Sequence, residues 1–216
     1  MGMHSEILRY MGHKGEADTR LQTLISSCME KLAAVCVPRH VVKQLPCTVA
    51  SDYVTIDTLE IKSTSLAIHL GNCAQVYIFA ATLGADVDRL ILQRTKIDST
   101  EALCIQACSA AHIENYCSSI EHELAGTNKS KGLYLRPRFS PGYGDFDIAC
   151  QTNLLYALQA QKHIGLSETK NHMLTPLKSI TAVIGICLEN SARAEGDVLP
   201  ADKCINCSNT DCPYRR

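Results

Sequence analysis

The chain has 216 residues, of which 46% are hydrophobic and 20% are charged, and its formal net charge is −1. This length is enough for one substantial domain with a buried core. The near-neutral balance provides no basic surface for nucleic acid or anionic lipid, so we expect neither as a partner. The longest apolar run, residues 180–188, is too short to span a bilayer, and the amino terminus has no apolar signal core. We therefore expect a cytoplasmic protein.

The first part of the chain is expected to form one helix and then strands. Residues 16–35 have the three- and four-residue apolar spacing of an amphipathic helix, which Pro38 ends. Alternation of apolar and polar residues predicts strand structure over residues 49–61. The segment 65–84 is interpreted as two strands joined at a Gly-Asn turn at residues 71 and 72.

The rest of the chain is dominated by helical spacing. It predicts helices over residues 86–93, 98–124 and 148–163. Asp98 and Glu101 have the spacing of a capping box at the start of the second helix, and Gly165 ends the third. The segment 179–188, SITAVIGICL, is almost wholly apolar, as a strand buried on both faces would be.

These elements predict a single domain of the α+β or mixed α/β class, with α+β preferred, over residues 1–195, and a mixed or antiparallel central sheet flanked by helices. Residues 196–216 are expected to form a short cysteine-bearing tail. The chain has twelve cysteines, and eight of them outside the tail are interpreted as small hydrophobic residues of a reducing compartment. These are Cys28, Cys36, Cys73, Cys104, Cys108, Cys117, Cys150 and Cys187.

The segment 135–147, LRPRFSPGYGDFD, cannot be a helix or a central strand. Pro137 and Pro141 fix the backbone at two points. Gly142 and Gly144 permit conformations that other residues rarely adopt, and they allow a ligand to approach the backbone closely. The sequence contains neither GxGxxG nor GKS or GKT, so we do not expect a site for a nucleoside triphosphate.

The side chains of this loop suit a small zwitterionic or cationic ligand. Arg138 can hold a carboxylate through two hydrogen bonds, and Tyr143 can offer a ring face to a cation. Asp145 and Asp147 can accept hydrogen bonds from amino or hydroxyl groups. The alternative interpretation is a rigid surface turn held by salt bridges.

The segment RFSPGY, residues 138–143, resembles the Arg-x-x-x-Gly-Tyr signature of the activation domain of cobalamin-dependent methionine synthase. Residues 154–185 are similar to the helix, the Lys-His-x-Gly element and the serine-containing strand of that family. Residues 76–91 are similar to its strand, Thr-x-Gly turn and helix. Residues 6–15 resemble the start of its small stand-alone members. The resemblance covers most of residues 6–190.

The resemblance implies an S-adenosylmethionine-binding component that supports reductive remethylation of an oxidised cobalamin, and thereby methionine biosynthesis. The electron would come from a donor of the flavodoxin or ferredoxin type. No cobalamin-binding Asp-x-His-x-x-Gly motif is found, and the chain is too short for a methyltransferase barrel. The corrinoid is therefore expected on a partner, a separate methionine synthase or another corrinoid protein.

The site residues implied by the resemblance lie in the loop and on the long predicted helix. Arg138, Gly142 and Tyr143 match the signature that contacts S-adenosylmethionine. The backbone of Phe139, Ser140 and Pro141 would serve the adenosyl part of the ligand. Glu114 would face the ligand or the corrin, and the alternative is a solvated glutamate on the helix surface.

Three cysteines near the carboxyl end form a separate candidate site. Cys204, Cys207 and Cys212 have the spacing C-x2-C-x4-C, which suits thiolate ligation of zinc or an iron–sulfur cluster. Free or redox-active thiols are the alternative. The tail leaves open two further hypotheses: a non-catalytic module that docks on a corrinoid protein or carries a cluster, and a zinc-stabilised structural protein.

Overall fold

The computed structural model describes residues 2–13 and 15–188. The elements in chain order are α1 (Met3–Tyr10), α2 (Thr19–Val35), β1 (Arg39–Val49), β2 (Tyr53–Ile56), β3 (Leu59–Lys62), α3 (Thr64–Leu70), β4 (Gln75–Thr82), α4 (Ala85–Thr95), α5 (Ser99–Lys129), β5 (Leu133–Leu135), α6 (Cys150–Leu158), α7 (Ala160–Ile164), β6 (Ser167–Glu168), β7 (Leu174–Thr175) and β8 (Ser179–Leu188). Within the described ranges, none of these helices is both long and apolar enough to cross a membrane.

Six strands form one sheet in the order β3-β2-β1-β4-β8-β5, and every neighbouring pair is antiparallel. The short strands β6 and β7 form a separate hairpin. The predicted α+β class is therefore confirmed, and the central sheet is antiparallel. The strand β5 has only three residues and borders one edge of the sheet.

Both faces of the sheet are covered by helices. Along β4, Val76, Ile78 and Ala80 face a core that includes residues of α3, α6 and α7. The alternate residues Tyr77 and Phe79 face a second core, to which α1, α2, α4 and α5 contribute. The strand β8 is buried in the same way on both sides, as its apolar sequence predicts.

The prediction of two strands around residues 71 and 72 is wrong for the first of them, because residues 64–70 form α3. The side chain of Ser63 accepts a hydrogen bond from the Leu66 N–H at 3.0 Å. Asp145 adds a second cap from far along the chain, accepting from the N–H groups of Thr64 at 2.8 Å and Ser65 at 2.9 Å. These acceptors satisfy backbone donors that the first turn of a helix leaves unpaired.

The strand β1 is not predicted by the sequence pattern, although it is the longest strand of the sheet. Residues 39–46 pair with β4, whereas residues 47–49 pair with β2. Pro46 lies where the strand changes partners, a position at which a residue without an N–H group is tolerated. A proline inside the strand weakens the signal of a continuous β segment.

The predicted helix over residues 148–163 is divided in two. Gln159 adopts a left-handed backbone conformation with φ of 49°, which ends α6 and precedes α7. Gly165, also left-handed, ends α7 as predicted. The apolar spacing continues across the break, so the sequence pattern alone does not reveal it.

The cysteines of the described part of the chain behave mainly as core residues. Seven of them are buried, while Cys36 and Cys150 are half-buried. Burial raises the pKa of the Cys117 thiol to about 12, so this thiol is neutral at physiological pH. The interpretation as small hydrophobic residues is confirmed for most of the eight.

Asp145→Asn is expected to destabilise the protein in a pH-dependent way. Hydrogen bonds from Ser63, Ser65 and Thr64 hold the pKa of the Asp145 carboxyl well below its usual range. The ionised carboxylate therefore stabilises the folded state above the unfolded aspartate pKa of about 3.9, and this contribution is lost as the pH falls. We expect the variant to melt below the wild type at neutral pH and the gap to narrow below about pH 5.

Thermal unfolding followed by circular dichroism measures this gap. Asp52→Asn is the matched control, since it removes an exposed carboxylate from another loop. Equal melting temperatures for the wild type and Asp145→Asn at neutral pH, or a gap independent of pH, would contradict the proposed role of the carboxylate.

Candidate functional site

The segment 136–147, called the signature loop below, begins as a continuation of the sheet edge. The N–H of Arg136 donates to the carbonyl oxygen of Gly185 at 2.8 Å. Phe139 and Val183 exchange both of their backbone hydrogen bonds, each at 2.9 Å. The start of the loop is therefore bound to β8 beyond the end of β5.

One side of the signature loop is attached to α3. His69 donates from Nε2 to the carbonyl oxygen of Pro137 at 2.7 Å, and its ring centroid lies 4.8 Å from that of Phe139. Gly144 has φ of 55°, and a Cβ atom at this position would lie 2.4 Å from the Ser65 hydroxyl oxygen. Only glycine allows this close approach. The Asp145 cap fixes the loop immediately afterwards.

The opposite side of the signature loop is attached to α5 by an ion cluster. Arg138 donates from Nη2 to Glu114 Oε2 at 3.1 Å, and its Nε lies 3.0 Å from Glu121 Oε1. The backbone N–H of Arg138 also hydrogen-bonds to the Glu121 carboxylate. Glu114 and Glu121 are seven residues apart, so they lie on the same face of α5. The guanidinium spans the two helical turns between them.

Burial and charge act in opposite directions within this cluster. Burial raises the pKa of the Glu121 carboxyl, although Arg138 lowers it. Burial lowers the pKa of the Arg138 guanidinium, but Glu121 and the neighbouring acidic groups outweigh it, so the net shift is upward. Arg138 therefore stays charged, and the carboxylate of Glu121 is partly shielded from solvent. The Arg138 side chain is only 18% exposed, against 45% for Glu114.

The signature loop, α1, α3, α5 and the start of β8 surround a cleft of about 1680 Å³. From α1, the residues Glu6, Arg9 and Tyr10 line it. Arg9 pairs with Glu6 and lies 4.5 Å from the centroid of the Tyr10 ring. This cleft is large enough for a nucleoside carrying an amino-acid chain.

The polar floor of the cleft is hydrogen-bonded internally. The hydroxyl of Thr181 donates to Gln151 Oε1 at 3.0 Å, and Gln151 Nε2 donates to the carbonyl oxygen of His172 at 2.6 Å. Thr181 and Gln151 are both buried. These contacts hold the floor rigid without using a charged group.

The structure brings most of the predicted site residues to one cleft. Glu114, Arg138, Phe139, Ser140, Gly142 and Tyr143 all line it. Tyr143 is 47% exposed, and its ring meets that of Phe139 edge-on at 5.7 Å. Pro141 is buried and is not among the lining residues. The backbone N–H and carbonyl of Phe139 are paired with Val183, and the residue is 8% exposed.

Sequence reasoning did not identify Glu121, Gln151 or Thr181. Glu121 could have been found from its seven-residue distance to Glu114 on a predicted helix. Gln151 and Thr181 come from separate elements, and no local spacing indicates that they meet. The two interpretations of the loop also turn out to be compatible, since its arginine forms salt bridges and lines a cleft.

The predicted metal ligands Cys204, Cys207 and Cys212 lie outside the described residues, as does the boundary at residue 195. Within residues 2–13 and 15–188, no group of three or more histidine, cysteine or acidic side chains is arranged to hold a metal ion.

Comparison with known proteins identifies the fold. No protein-family model matches the sequence, and no curated protein does. A crystal structure of the MetH reactivation domain bound to AdoHcy matches with a TM-score of 0.62, covering 90% of this chain and 72% of that one at 16% sequence identity. The fold predicted from the resemblance to methionine synthase is therefore confirmed: this chain has the fold of the methionine synthase reactivation domain.

Proposed function

We propose that this chain binds S-adenosylmethionine in the cleft and supports reductive remethylation of a corrinoid carried by a separate methionine synthase or related protein. The observation that carries the proposal is the signature loop. It is fixed to α3 and α5 and lines a cleft in the fold of a domain that was crystallised with AdoHcy.

The residues of the cleft fit the charges of this ligand. S-adenosylmethionine has a carboxylate, an ammonium and a sulfonium. Arg138 contacts its two glutamates through Nε and Nη2, and a guanidinium has further N–H donors for a ligand carboxylate. Glu114 is 45% exposed and can receive a cationic group. The ring of Tyr143 is exposed enough to pack against the ligand.

S-adenosylmethionine supplies an electrophilic methyl group when bound. The part assigned to this chain is to hold the ligand in one orientation, which is catalysis by positioning. A rigid loop is suited to this part, because a ligand that binds it orders few additional protein groups. The corrinoid and the electron donor, of the flavodoxin or ferredoxin type, come from other proteins.

Arg138→Ala is expected to weaken S-adenosylmethionine binding by about 2–4 kcal/mol, because it removes a charged hydrogen-bonding group from the cleft. Tyr143→Phe retains the ring and is expected to weaken binding by about 0.5–1.5 kcal/mol. Isothermal titration calorimetry measures both affinities. Tyr156→Phe is the matched control, since this tyrosine is 85% exposed on α6 and does not line the cleft.

Folding of each variant is checked by thermal unfolding, because Arg138→Ala leaves two glutamates without their partner. Arg138→Lys retains the charge and tests the role of the guanidinium if the alanine variant unfolds. Wild-type protein that does not bind S-adenosylmethionine at millimolar concentration would overturn the proposal.

The remethylation step is tested with a cobalamin-dependent methionine synthase that lacks its own activation domain. We expect this chain, together with reduced flavodoxin and S-adenosylmethionine, to restore activity after the cobalamin has been oxidised. Recovery that is independent of this chain would contradict the proposal. The Arg138→Ala variant is the negative control.

For the carboxyl-terminal cysteines we propose ligation of an iron–sulfur cluster or of zinc, with free or redox-active thiols as the alternative. Protein purified without oxygen is expected to contain iron or zinc, and Cys204→Ser with Cys207→Ser is expected to remove it. Elemental analysis and visible absorption measure the content. Protein free of both metals would leave only the thiol alternative.

A further inference from the structure

Glu121 contacts Arg138 of the signature loop at two points. No sequence motif assigns a role to Glu121. Its carboxylate lies 3.0 Å from Arg138 Nε and also accepts from the backbone N–H of the same residue. The side chain of Glu121 is 26% exposed and lines the cleft. A carboxylate that binds both the backbone and the side chain of one residue fixes its backbone position and its rotamer together.

The charges around Arg138 do not balance. Glu114 and Glu121 contribute two negative charges and Arg138 one positive charge, so this cluster has one net negative charge. The other charged side chains that line the cleft are Glu6, Arg9 and Arg136, so the lining as a whole balances and the negative excess is local to α5. Arg9 pairs with Glu6, and the buried Arg136 has its guanidinium against Gly71 and the Cys73 thiol, at the end of α3.

We propose that Glu121 is a positioning residue that also determines the charge preference of the cleft. It holds Arg138 against α5, and it supplies the second negative charge that makes the α5 side of the cleft favour a cationic group of the ligand over a neutral one. The inference rests on the proposed function. Without Glu121, the Arg138–Glu114 pair would be neutral and the preference would be lost.

For the proposed ligand, this preference separates the methyl donor from its product. S-adenosylmethionine has one net positive charge, whereas S-adenosylhomocysteine has none, because loss of the methyl group converts the sulfonium into a neutral thioether. A net negative cluster beside the ligand therefore binds the donor more tightly than the product. Loss of the methyl group therefore weakens the attraction of this cluster for the bound nucleoside, which favours release of the product.

The test compares two affinities rather than one. S-adenosylmethionine and S-adenosylhomocysteine are titrated into the full-length wild type, Glu121→Gln and the matched control Glu123→Gln. Glu123 lies on the same helix but is exposed and does not line the cleft. We expect the wild type to prefer the cationic ligand about tenfold, and Glu121→Gln to reduce that ratio to about one to three, as removal of one nearby unit charge predicts.

A loss of structure alone would weaken the binding of both ligands equally. The affinity ratio therefore distinguishes an effect of the Glu121 charge from an effect on packing. Sinefungin has a carbon bearing an amine in place of the methylated sulfonium, and it is also cationic. Its affinity is expected to change in parallel with that of S-adenosylmethionine in every variant. Glu121→Asp, which retains the charge, is expected to retain the preference.

The outcomes separate this inference from the proposed function. If the wild type binds both nucleosides and Glu121→Gln has the same affinity ratio as the wild type, the inference is overturned and the proposed function stands. Wild type that binds neither nucleoside would overturn both. A ratio that falls equally in Glu123→Gln would assign the preference to the overall charge of the helix and would also overturn the role of Glu121.

Discussion

The attachment of the signature loop to helices on opposite faces of the sheet is the constraint on which the cleft depends. Asp145 caps the first turn of α3, and Arg138 lies along α5 between Glu114 and Glu121. The adjoining strand β5 has only three residues, which is too little to hold an edge loop by backbone pairing alone. The dependence is mutual, because α3 obtains two of its amino-terminal hydrogen-bond acceptors from the loop. Loop and helix therefore form one unit, and a change at either end alters the cleft.

The ion cluster at Arg138 contributes more to geometry than to stability. Burial of the Glu121 carboxylate costs free energy that Arg138 only partly restores, as the raised pKa of Glu121 indicates, whereas the charge of Arg138 is favoured by the acidic groups around it. An apolar contact of similar volume would stabilise the fold at least as well. What the cluster adds is a fixed orientation, because a carboxylate that binds both Nε and the backbone N–H of Arg138 excludes other rotamers. The cluster therefore fixes the part of the signature loop that lines the cleft.

Features with a local cause could be predicted from the sequence, and features that depend on distant contacts could not. Asp98 begins α5 by accepting from the N–H groups of the first turn, as the spacing with Glu101 predicts. The apolar strand β8 was equally clear from its composition. By contrast, the predicted strand over residues 65–70 is the helix α3, which has a local cap at Ser63 and a second cap, Asp145, about eighty residues away in the sequence. The seven-residue distance to Glu114 places Glu121 on the same face of the predicted helix, but its contact with Arg138 depends on the tertiary structure and could not be predicted.

The position of the cleft also limits how a second protein can reach a ligand in it. Helices cover both faces of the sheet, so the cleft is formed where the loop, rather than a further strand, borders β8. Its rim includes the exposed side chains of Ile68 and Tyr143, while its deeper part is closed by the buried Gln151 and Thr181. Under the proposed function, a partner would reach the ligand across this rim, because hydrogen bonds of Gln151 and Thr181 close the floor among the described residues. Under the proposed function, the signature loop would then have two roles: it would orient the ligand, and it would form part of the surface that the partner meets.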